Sequence, residues 1–274
     1  MNFDDVHAYK KEIADLYTKR STTYDNSMWH DRMAKKLVDF VNIKIDSQIL
    51  DIGTGTGMVA YYAASKIGPE GTVIGIDISE GMIQVANAKL NKSPYKNIRF
   101  DVGDGEDLNY SLNSFDVIFC SSAFIWMTDL PATLRYWRKH LKPDGKLGLH
   151  AFSETAYITG VAAQSVLQKY GVNYLMSKPT GTVEKCTSLL EKAGYTNINI
   201  NVDPDGVYID LEEAKNSWVS ELHPAPGQYP HPLKNLTPEQ LDNARADYER
   251  EMEKLSTENG VWNDMTTFYV YGEK

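Results

Sequence analysis

Asp51-Ile52-Gly53-Thr54-Gly55-Thr56-Gly57 is the stretch of this 274-residue sequence that decides the fold. The apolar residues before it predict a short strand, and the residues from Met58 to Ala64 have the composition of a buried helix. Glycines on alternate residues allow backbone N–H groups to approach a ligand closely, because no Cβ intervenes. A dinucleotide-binding turn has the pattern G-x-G-x-x-G, and Met58 stands where its third glycine belongs. The turn therefore indicates a nucleoside ligand without phosphates, and Asp51 suits a ligand with an ammonium group.

Short apolar segments downstream predict further strands of the same sheet. These are Gly71 to Asp77, Asn97 to Val102, Phe115 to Cys120 and Lys146 to Phe152, with a helix from Glu80 to Leu90 after the first of them. Asp77 ends its strand, where a carboxylate can accept two hydrogen bonds from ribose hydroxyls. The alternation of strands and helices from Ser47 to Phe152 predicts a parallel sheet with helices on both faces.

This ordered set of motifs resembles the class I S-adenosylmethionine-dependent methyltransferases of small-molecule type. The likeness is a general one to ubiquinone/menaquinone-pathway and secondary-metabolite members, and it covers roughly residues 47–152 and the tail from about 184. The resemblance implies a Rossmann-like, seven-stranded α/β sheet that binds S-adenosylmethionine and releases S-adenosylhomocysteine.

The resemblance also implies roles for individual residues. Gly53, Gly55 and Gly57 would lie under the methionine and ribose, with Asp51 near the ammonium group. Asp77 would bind the ribose diol, and Asp104, next to Gly105, the adenine amino group. Tyr17 and Tyr24 are candidates for contacting the methionine end, because aromatic faces attract sulfonium and ammonium cations. Ser121, directly after the fourth strand, completes the candidate cofactor site.

Composition narrows the acceptor and the cellular setting. The formal net charge is −9 and no cluster of Lys and Arg forms a basic face, so a small molecule is favoured over nucleic acid. No run approaches the roughly 20 apolar residues of a membrane span. Two cysteines do not make a disulfide framework, and the histidines lack metal-ligand spacing. We expect a cytoplasmic protein without a metal site or membrane anchor, either a monomer or a homodimer.

The domain organisation predicted from the sequence has three parts. Residues 1–45 form an N-terminal helical lid, residues 46–204 and 261–274 form the cofactor-binding core, and residues 205–260 form a helical insertion. The insertion is predicted to contain a helix from about Leu211 to Leu222 and a second helix that Thr237 caps and that ends near Asn259. It is read as a cover over the acceptor site, with a dimerisation arm as the alternative.

Histidines are the candidate catalytic residues. His150 is the leading candidate for a general base, because it lies at the carboxyl end of the fifth strand, where ligands bind in such sheets. His30 on the N-terminal lid is the weaker candidate, and His223 and His231 fall near a plausible pocket mouth. For each of them, an ordinary structural role is the alternative. Phe124, Trp126 and Met127 are expected either to wall the acceptor pocket or to belong to the core, and the Glu106 side chain is expected to be solvated.

The predicted function is methyl transfer from S-adenosylmethionine to oxygen or nitrogen of a small, partly apolar metabolite. Two alternatives stay open: a peptide or carboxyl methyltransferase, and a non-catalytic protein of the same fold that binds the cofactor. A nicotinamide-dependent oxidoreductase is disfavoured by Met58 and by the lack of a Tyr-x-x-x-Lys pair.

Overall fold

The computed structural model describes residues 1–26, 28–174, 177–218 and 227–274. Its helices are α1 (Phe3–Arg20), α2 (Met28–Val41), α3 (Met58–Ile67), α4 (Glu80–Leu90), α5 (Leu130–His140), α6 (Ile158–Lys169), α7 (Val183–Lys192), α8 (Leu211–Asn216) and α9 (Pro238–Leu255). Its strands are β1 (Gln48–Ile52), β2 (Thr72–Asp77), β3 (Ile98–Val102), β4 (Phe115–Ser121), β5 (Leu141–Phe152), β6 (Thr196–Asp203), β7 (Gly206–Ile209), β8 (Ser256–Thr257), β9 (Gly260–Asp264) and β10 (Thr267–Glu273).

Seven of these strands form one sheet in the order β3-β2-β1-β4-β5-β10-β6. Strands β1 to β5 pair in parallel, whereas β10 runs antiparallel to both β5 and β6. The order of the parallel strands reverses between β1 and β4, and ligands of open α/β sheets bind outside the carboxyl ends of the strands at such a point. The predicted α/β class and the mostly parallel sheet are confirmed.

Each face of the sheet packs against its own set of helices. In β1, Leu50 packs with Trp137 of α5 and Leu190 of α7, while its neighbour Ile49 packs with helices α2, α3 and α4 on the opposite face. Successive side chains of a strand point to opposite faces, so a continuous apolar strand such as β1 is buried on both sides. Helix α5 had no counterpart among the predicted helices, although Asp129 caps its first turn by accepting a hydrogen bond from Ala132 N.

The insertion differs from its prediction in one respect. Besides helices α8 and α9 it contains a three-stranded sheet, β7-β9-β8, which the sequence analysis did not identify. Helix α9 starts at the predicted cap Thr237, which forms a capping box with Gln240. The helix ends at Leu255, because residues 256–264 turn back as the β8–β9 hairpin. Helix α8 ends at Asn216, and the predicted end at Leu222 lies outside the described residues.

A third apolar cluster joins the insertion to α6. Trp218 and Tyr248 of the insertion pack with Val166 and Leu167 of α6, and all four are buried. Helix α6 runs without a break through Gly160. No helix in the described ranges is long and apolar enough to cross a lipid bilayer.

Candidate active site

The glycine turn between β1 and α3 is built from left-handed backbone. Gly53, Gly55 and Gly57 have φ values of +68°, +57° and +91°, which residues with a Cβ rarely adopt. A Cβ on Gly53 would lie 2.4 Å from the Cβ of Ala123, and one on Gly57 would lie 2.6 Å from the ring of Phe100. The turn therefore requires glycine both for its conformation and for its packing.

Two carboxylates lie beside this turn. Asp77 accepts hydrogen bonds from Gly55 N at 2.9 Å and from Ser79 N at 2.8 Å, and burial raises its pKa to about 6. Asp51 is buried and accepts a hydrogen bond from the Thr54 hydroxyl at 2.6 Å, and burial raises its pKa to about 7. Its Oδ1 atom has no well-aligned hydrogen-bond donor among the described residues. Both groups would gain from a ligand that brings a positive charge or hydroxyl donors.

A cavity of about 80 Å³ opens over the turn and Asp77. Its lining includes several of the predicted cofactor residues, together with side chains of α1 and of the segment after β4: Ile13, Tyr17, Tyr24, Gly53, Gly55, Asp77, Ile78, Met82, Ser121, Ser122, Ala123, Trp126 and Met127. The structure thus brings Tyr17, Tyr24 and Ser121 to the turn. Gly57 of the turn and Asp51 before it do not line this cavity.

Asp104 and Gly105 lie to one side of this cavity, after β3. Lys10 of α1 pairs with Asp104 at 2.6 Å and with Glu106 at 3.1 Å. The expectation of a solvated Glu106 side chain is wrong, because its Oε1 also accepts hydrogen bonds from Thr128 N and Thr128 Oγ1. Gly105 contributes its carbonyl, which accepts a hydrogen bond from Trp137 Nε1 at 2.7 Å. This loop is tied to α1 on one side and to α5 on the other.

A second cavity of about 240 Å³ adjoins the first. Half of the described residues that line it are Tyr, Trp or Phe, and those described residues are Tyr17, Arg20, Tyr24, Trp29, His30, Ser122, Ile125, Trp126, Phe152, Tyr157, Thr159, Gly160, Tyr174 and Ser177. Of the three residues expected to wall an acceptor pocket or to be core, Trp126 lines both cavities, Met127 lines the smaller one, and Phe124 is core.

Four residues line both cavities: Tyr17, Tyr24, Ser122 and Trp126. Tyr17 packs edge-on against Tyr24 and Trp126, with ring centroids 6.4 Å and 6.3 Å apart. Aromatic faces attract a cation, so this shared wall favours a positive charge at the boundary between the two spaces.

The two candidate bases occupy different positions relative to the larger cavity. His30 lines it and stacks on Tyr24 with ring centroids 4.4 Å apart, and burial lowers the pKa of this histidine. His150 is buried behind the wall; its Nδ1 lies 2.8 Å from the Ser122 hydroxyl, and burial lowers its pKa to about 3. Both imidazoles are therefore neutral at pH 7. His231 is buried in the insertion against Tyr174, and His223 lies outside the described residues.

The sequence profile of a family described as a methyltransferase domain matches residues 43–194, more than half of the chain. This protein belongs to the class I S-adenosylmethionine-dependent methyltransferases.

Several curated methyltransferases are similar to this family member. Nocamycin O-methyltransferase of Saccharothrix syringae is 37% identical over 43% of this chain and 42% of its own length. Aklanonic acid methyltransferase DauC of Streptomyces sp. (strain C5) is 31% identical over 56% of this chain and 69% of its own length. Demethylmenaquinone methyltransferase of Symbiobacterium thermophilum is 32% identical over 49% of this chain and 54% of its own length. The chain thus spans about half the length of the curated relatives it matches. The resemblance to quinone and secondary-metabolite methyltransferases is confirmed.

The fold of this methyltransferase is also that of solved structures. The YcgJ protein of Bacillus subtilis superposes with a TM-score of 0.60 at 16% identity, over 89% of this chain and 98% of that one. The seven-stranded sheet of the family is therefore present, and identity this low supports the fold alone.

The residues beside the turn fit the cofactor of the family. The glycines of the turn have no Cβ, so a ligand can approach the backbone of the turn closely. The Asp77 carboxylate lines the cavity. The Oδ1 atom of Asp51, which has no hydrogen-bond partner among the described residues, would be stabilised by a nearby ammonium group. Four residues that line the larger cavity were not among the predicted site residues: Arg20, Trp29, Tyr157 and Tyr174. They come from distant parts of the chain, and no local motif marks them.

Proposed function

We propose that this methyltransferase transfers a methyl group from S-adenosylmethionine to oxygen or nitrogen of a small, partly apolar metabolite. The observation that carries the proposal is the wall of Tyr17, Tyr24, Ser122 and Trp126, which borders both the cavity over the glycine turn and the larger aromatic cavity. A methyl donor in the first space and an acceptor in the second would meet at that wall. The nocamycin and aklanonic acid methyltransferases named above, and the demethylmenaquinone methyltransferase, support a small-molecule acceptor.

The cofactor supplies a methyl group that is activated by its sulfonium sulfur. The protein's own part is to hold the reactants in line and to exclude water. The backbone of Gly53 and Gly55 and the carboxylate of Asp77 would orient the cofactor. Asp51 would balance the ammonium charge from below, and Asp104 would contact the adenine. The faces of Tyr17 and Tyr24 would stabilise the sulfonium until its charge is lost in the transfer.

Two side chains could take the proton from a hydroxyl group that is to be methylated. The neutral His30 lines the acceptor cavity, and its Nδ1 is buried without a hydrogen-bond partner among the described residues. Ser122 also lines the cavity and holds the neutral His150 at its hydroxyl. We propose that His30 contacts the acceptor directly, whereas His150 acts through Ser122 and fixes the direction of that hydroxyl.

Helices α1 and α2, within residues 1–45, are proposed to close over the cofactor as a lid, since Ile13 and Tyr17 of α1 line its cavity. None of the described residues of the insertion, 205–218 and 227–260, lines the larger cavity. The insertion packs behind α6, whose first turn supplies Thr159 and Gly160 to the larger cavity. We propose that it supports the acceptor cavity from behind, with the predicted cover and the dimer arm as the other roles.

The experiment that tests this function has two parts. Calorimetry measures binding of S-adenosylmethionine and S-adenosylhomocysteine, and transfer of a radiolabelled methyl group is then followed to phenols, alcohols, amines, carboxylates, peptides and RNA. Label in a phenol, alcohol or amine supports the proposal. Label only in peptides or carboxylates would establish the alternative acceptor class. Cofactor binding without transfer to any acceptor favours the non-catalytic protein, and absence of cofactor binding would refute the proposal.

A further inference from the structure

Arg20, the last residue of α1, is the one charged side chain among the described residues that line the 240 Å³ cavity at neutral pH. The cavity has no Asp or Glu in its described lining, and His30, the other titratable base there, has a pKa lowered by burial. Burial also raises the pKa values of the Tyr24, Tyr157 and Tyr174 phenols, so these remain neutral. The described lining of this cavity therefore carries one formal charge, and it is positive, in a protein whose formal net charge is −9.

No carboxylate of the described residues neutralises this guanidinium. Of the six other arginines, Arg32, Arg99, Arg245 and Arg250 each form an ion pair with an Asp or Glu, whereas Arg135 and Arg138 form none within the described ranges. Arg20 has no such pair within the described ranges. Asp25, five residues further on, is occupied by Lys89 at 2.8 Å and by the Thr56 hydroxyl.

The guanidinium is held in place by aromatic rings instead. Its central carbon lies 5.2 Å from the centroid of the Tyr17 ring and 5.8 Å from that of the Tyr24 ring. The guanidinium also donates a hydrogen bond to the Tyr17 hydroxyl. An arginine has five N–H donors, so stacking together with this one bond fixes its plane and leaves most of its donors available to a ligand. A planar group with several free donors matches the two oxygens of a carboxylate, which arginine binds in a bidentate manner.

The rest of the cavity selects the body of the ligand. Seven of its fourteen lining residues are Tyr, Trp or Phe, and Trp29 stacks on Phe152 with centroids 5.3 Å apart and planes 14° apart. An apolar cavity of about 150 Å³ holds one benzene ring, so a volume of about 240 Å³ suits one or two fused rings with a polar substituent. Flat, apolar walls and one free guanidinium together describe an aromatic acid.

We propose that the acceptor of this methyltransferase is an aromatic carboxylate, hydroxylated or aminated at the methylated position, whose carboxylate Arg20 binds. The proposal rests on the proposed function, because it assigns the larger cavity to the acceptor. In the transfer, the C–S bond of the cofactor breaks, a C–O or C–N bond forms, and the proton of the acceptor leaves to a base. The neutral thioether S-adenosylhomocysteine remains, and the carboxylate at Arg20 is unchanged.

Binding of a matched pair of ligands to the protein saturated with S-adenosylhomocysteine tests this assignment. The pair is 6-hydroxy-2-naphthoate and its neutral carboxamide, and isothermal titration calorimetry measures the affinity of each. We expect the naphthoate to bind at least tenfold more tightly than the carboxamide to the wild-type protein. Arg20→Gln should reduce that preference to less than twofold, and Arg20→Lys should retain part of it. Lys19→Gln, which removes the same charge from an exposed neighbour, should leave the preference unchanged.

Other outcomes separate this inference from the proposed function. A preference that survives in Arg20→Gln, or the absence of any preference in the wild type, would refute the role of Arg20 while methyl transfer to neutral acceptors would still support the enzyme. A tenfold loss of S-adenosylhomocysteine affinity in Arg20→Gln, without a change in the preference, would show that Arg20 binds the carboxylate of the cofactor instead. Absence of cofactor binding to the wild-type protein would refute the proposed function itself.

Discussion

The two cavities of this methyltransferase, one proposed for the cofactor and the other for the acceptor, are built in different ways, and they are called the cofactor side and the acceptor side below. The cofactor side consists largely of the ends of neighbouring strands: the glycine turn follows β1, Asp77 ends β2 and Ser121 ends β4. The acceptor side consists mainly of side chains from α1, α2, α6 and the loops around them, between Tyr17 and Ser177. Backbone fixed by a sheet gives one geometry for a common ligand, whereas side chains on peripheral helices can be exchanged. The comparison explains why relatives can share a cofactor and differ in acceptor.

The largest effect is expected from a change to the backbone of the cofactor side. Gly53→Ala adds a Cβ that would lie 2.4 Å from Ala123 in a left-handed conformation, so cofactor affinity should fall more than about a hundredfold. Gly171→Ala is the matched control, because Gly171 also has positive φ, +76°, but has nothing within 4 Å of the added atom. It should cost about 1 kcal/mol of folding stability and leave affinity unchanged. Calorimetry and thermal unfolding of both variants would measure this, and equal affinities would contradict the importance of the turn.

Asp77→Asn tests one side chain on the same side. Loss of the charge-assisted hydrogen bonds to the ribose should weaken S-adenosylmethionine binding at least tenfold, or about 1.4 kcal/mol. Asp39→Asn removes a carboxylate that pairs with Lys66 on the surface, and it should have no effect on binding. Unchanged affinity of the Asp77 variant in calorimetry would mean that the ribose site is misassigned.

The pH dependence of cofactor binding follows from the same two carboxylates. Burial raises the pKa of Asp77 to about 6 and that of Asp51 to about 7, so the free protein holds protons that a cationic ligand must displace. Affinity for the cofactor should therefore fall as the pH drops from 8 to 5. Each of the two carboxylates should contribute roughly a tenfold loss per pH unit once the pH is below its pKa. For stability the sign is opposite: a raised carboxyl pKa stabilises the free fold below pH ~4, and that contribution is lost as the pH rises through about 7. A flat binding profile would exclude both carboxylates from the site.

On the acceptor side, substitutions of the two histidines should change transfer without changing cofactor affinity. His30→Gln removes a ring that lines the cavity, and we expect kcat/KM to fall about tenfold or more with a phenol acceptor. His150→Gln should reduce kcat through Ser122, and Ser122→Ala should then cause little further loss, because the two groups act as one unit. Additive losses in the double variant would show that His150 does not act through Ser122.

The smallest effect is expected in the insertion, away from both cavities. Tyr248→Phe removes the hydrogen bond from its buried hydroxyl to Ala214 O at 2.6 Å, which should lower the free energy of unfolding by about 1 kcal/mol. Tyr208→Phe alters an exposed ring of β7 and serves as the control. A loss of methyl transfer in the Tyr248 variant at unchanged stability would assign the insertion a direct part in the reaction.

The cofactor side could be predicted from the sequence better than the acceptor side could. The turn, the carboxylate of Asp77 and the strands could be located because local patterns specify them: alternating glycines, apolar runs and a charge at a strand end. Arg20 and Tyr157 could not be located, because their significance arises only when α1 and the segment before α6 meet over the carboxyl ends of the strands. The β7-β9-β8 sheet was missed because its strands are short and because β7 pairs with β9 across the whole of α8 and α9. His150 was placed correctly at the end of β5, but its burial behind Ser122 depends on Trp29 and Phe152 packing against its ring.

The hydrogen bonds of Tyr9 bear on the order in which contacts form while the chain is synthesised. Its buried hydroxyl donates a hydrogen bond to Trp126 O at 3.1 Å and accepts one from Gly227 N at 3.0 Å, across sequence separations of 117 and 218 residues. During synthesis the first helix leaves the ribosome long before either partner exists. The contacts of α1 with Ser79, Asp104 and Trp126 can form once the first four strands have been translated. The hydrogen bond from Gly227 forms only after the insertion has been reached, so it is among the last contacts that secure α1 beside the ligand site.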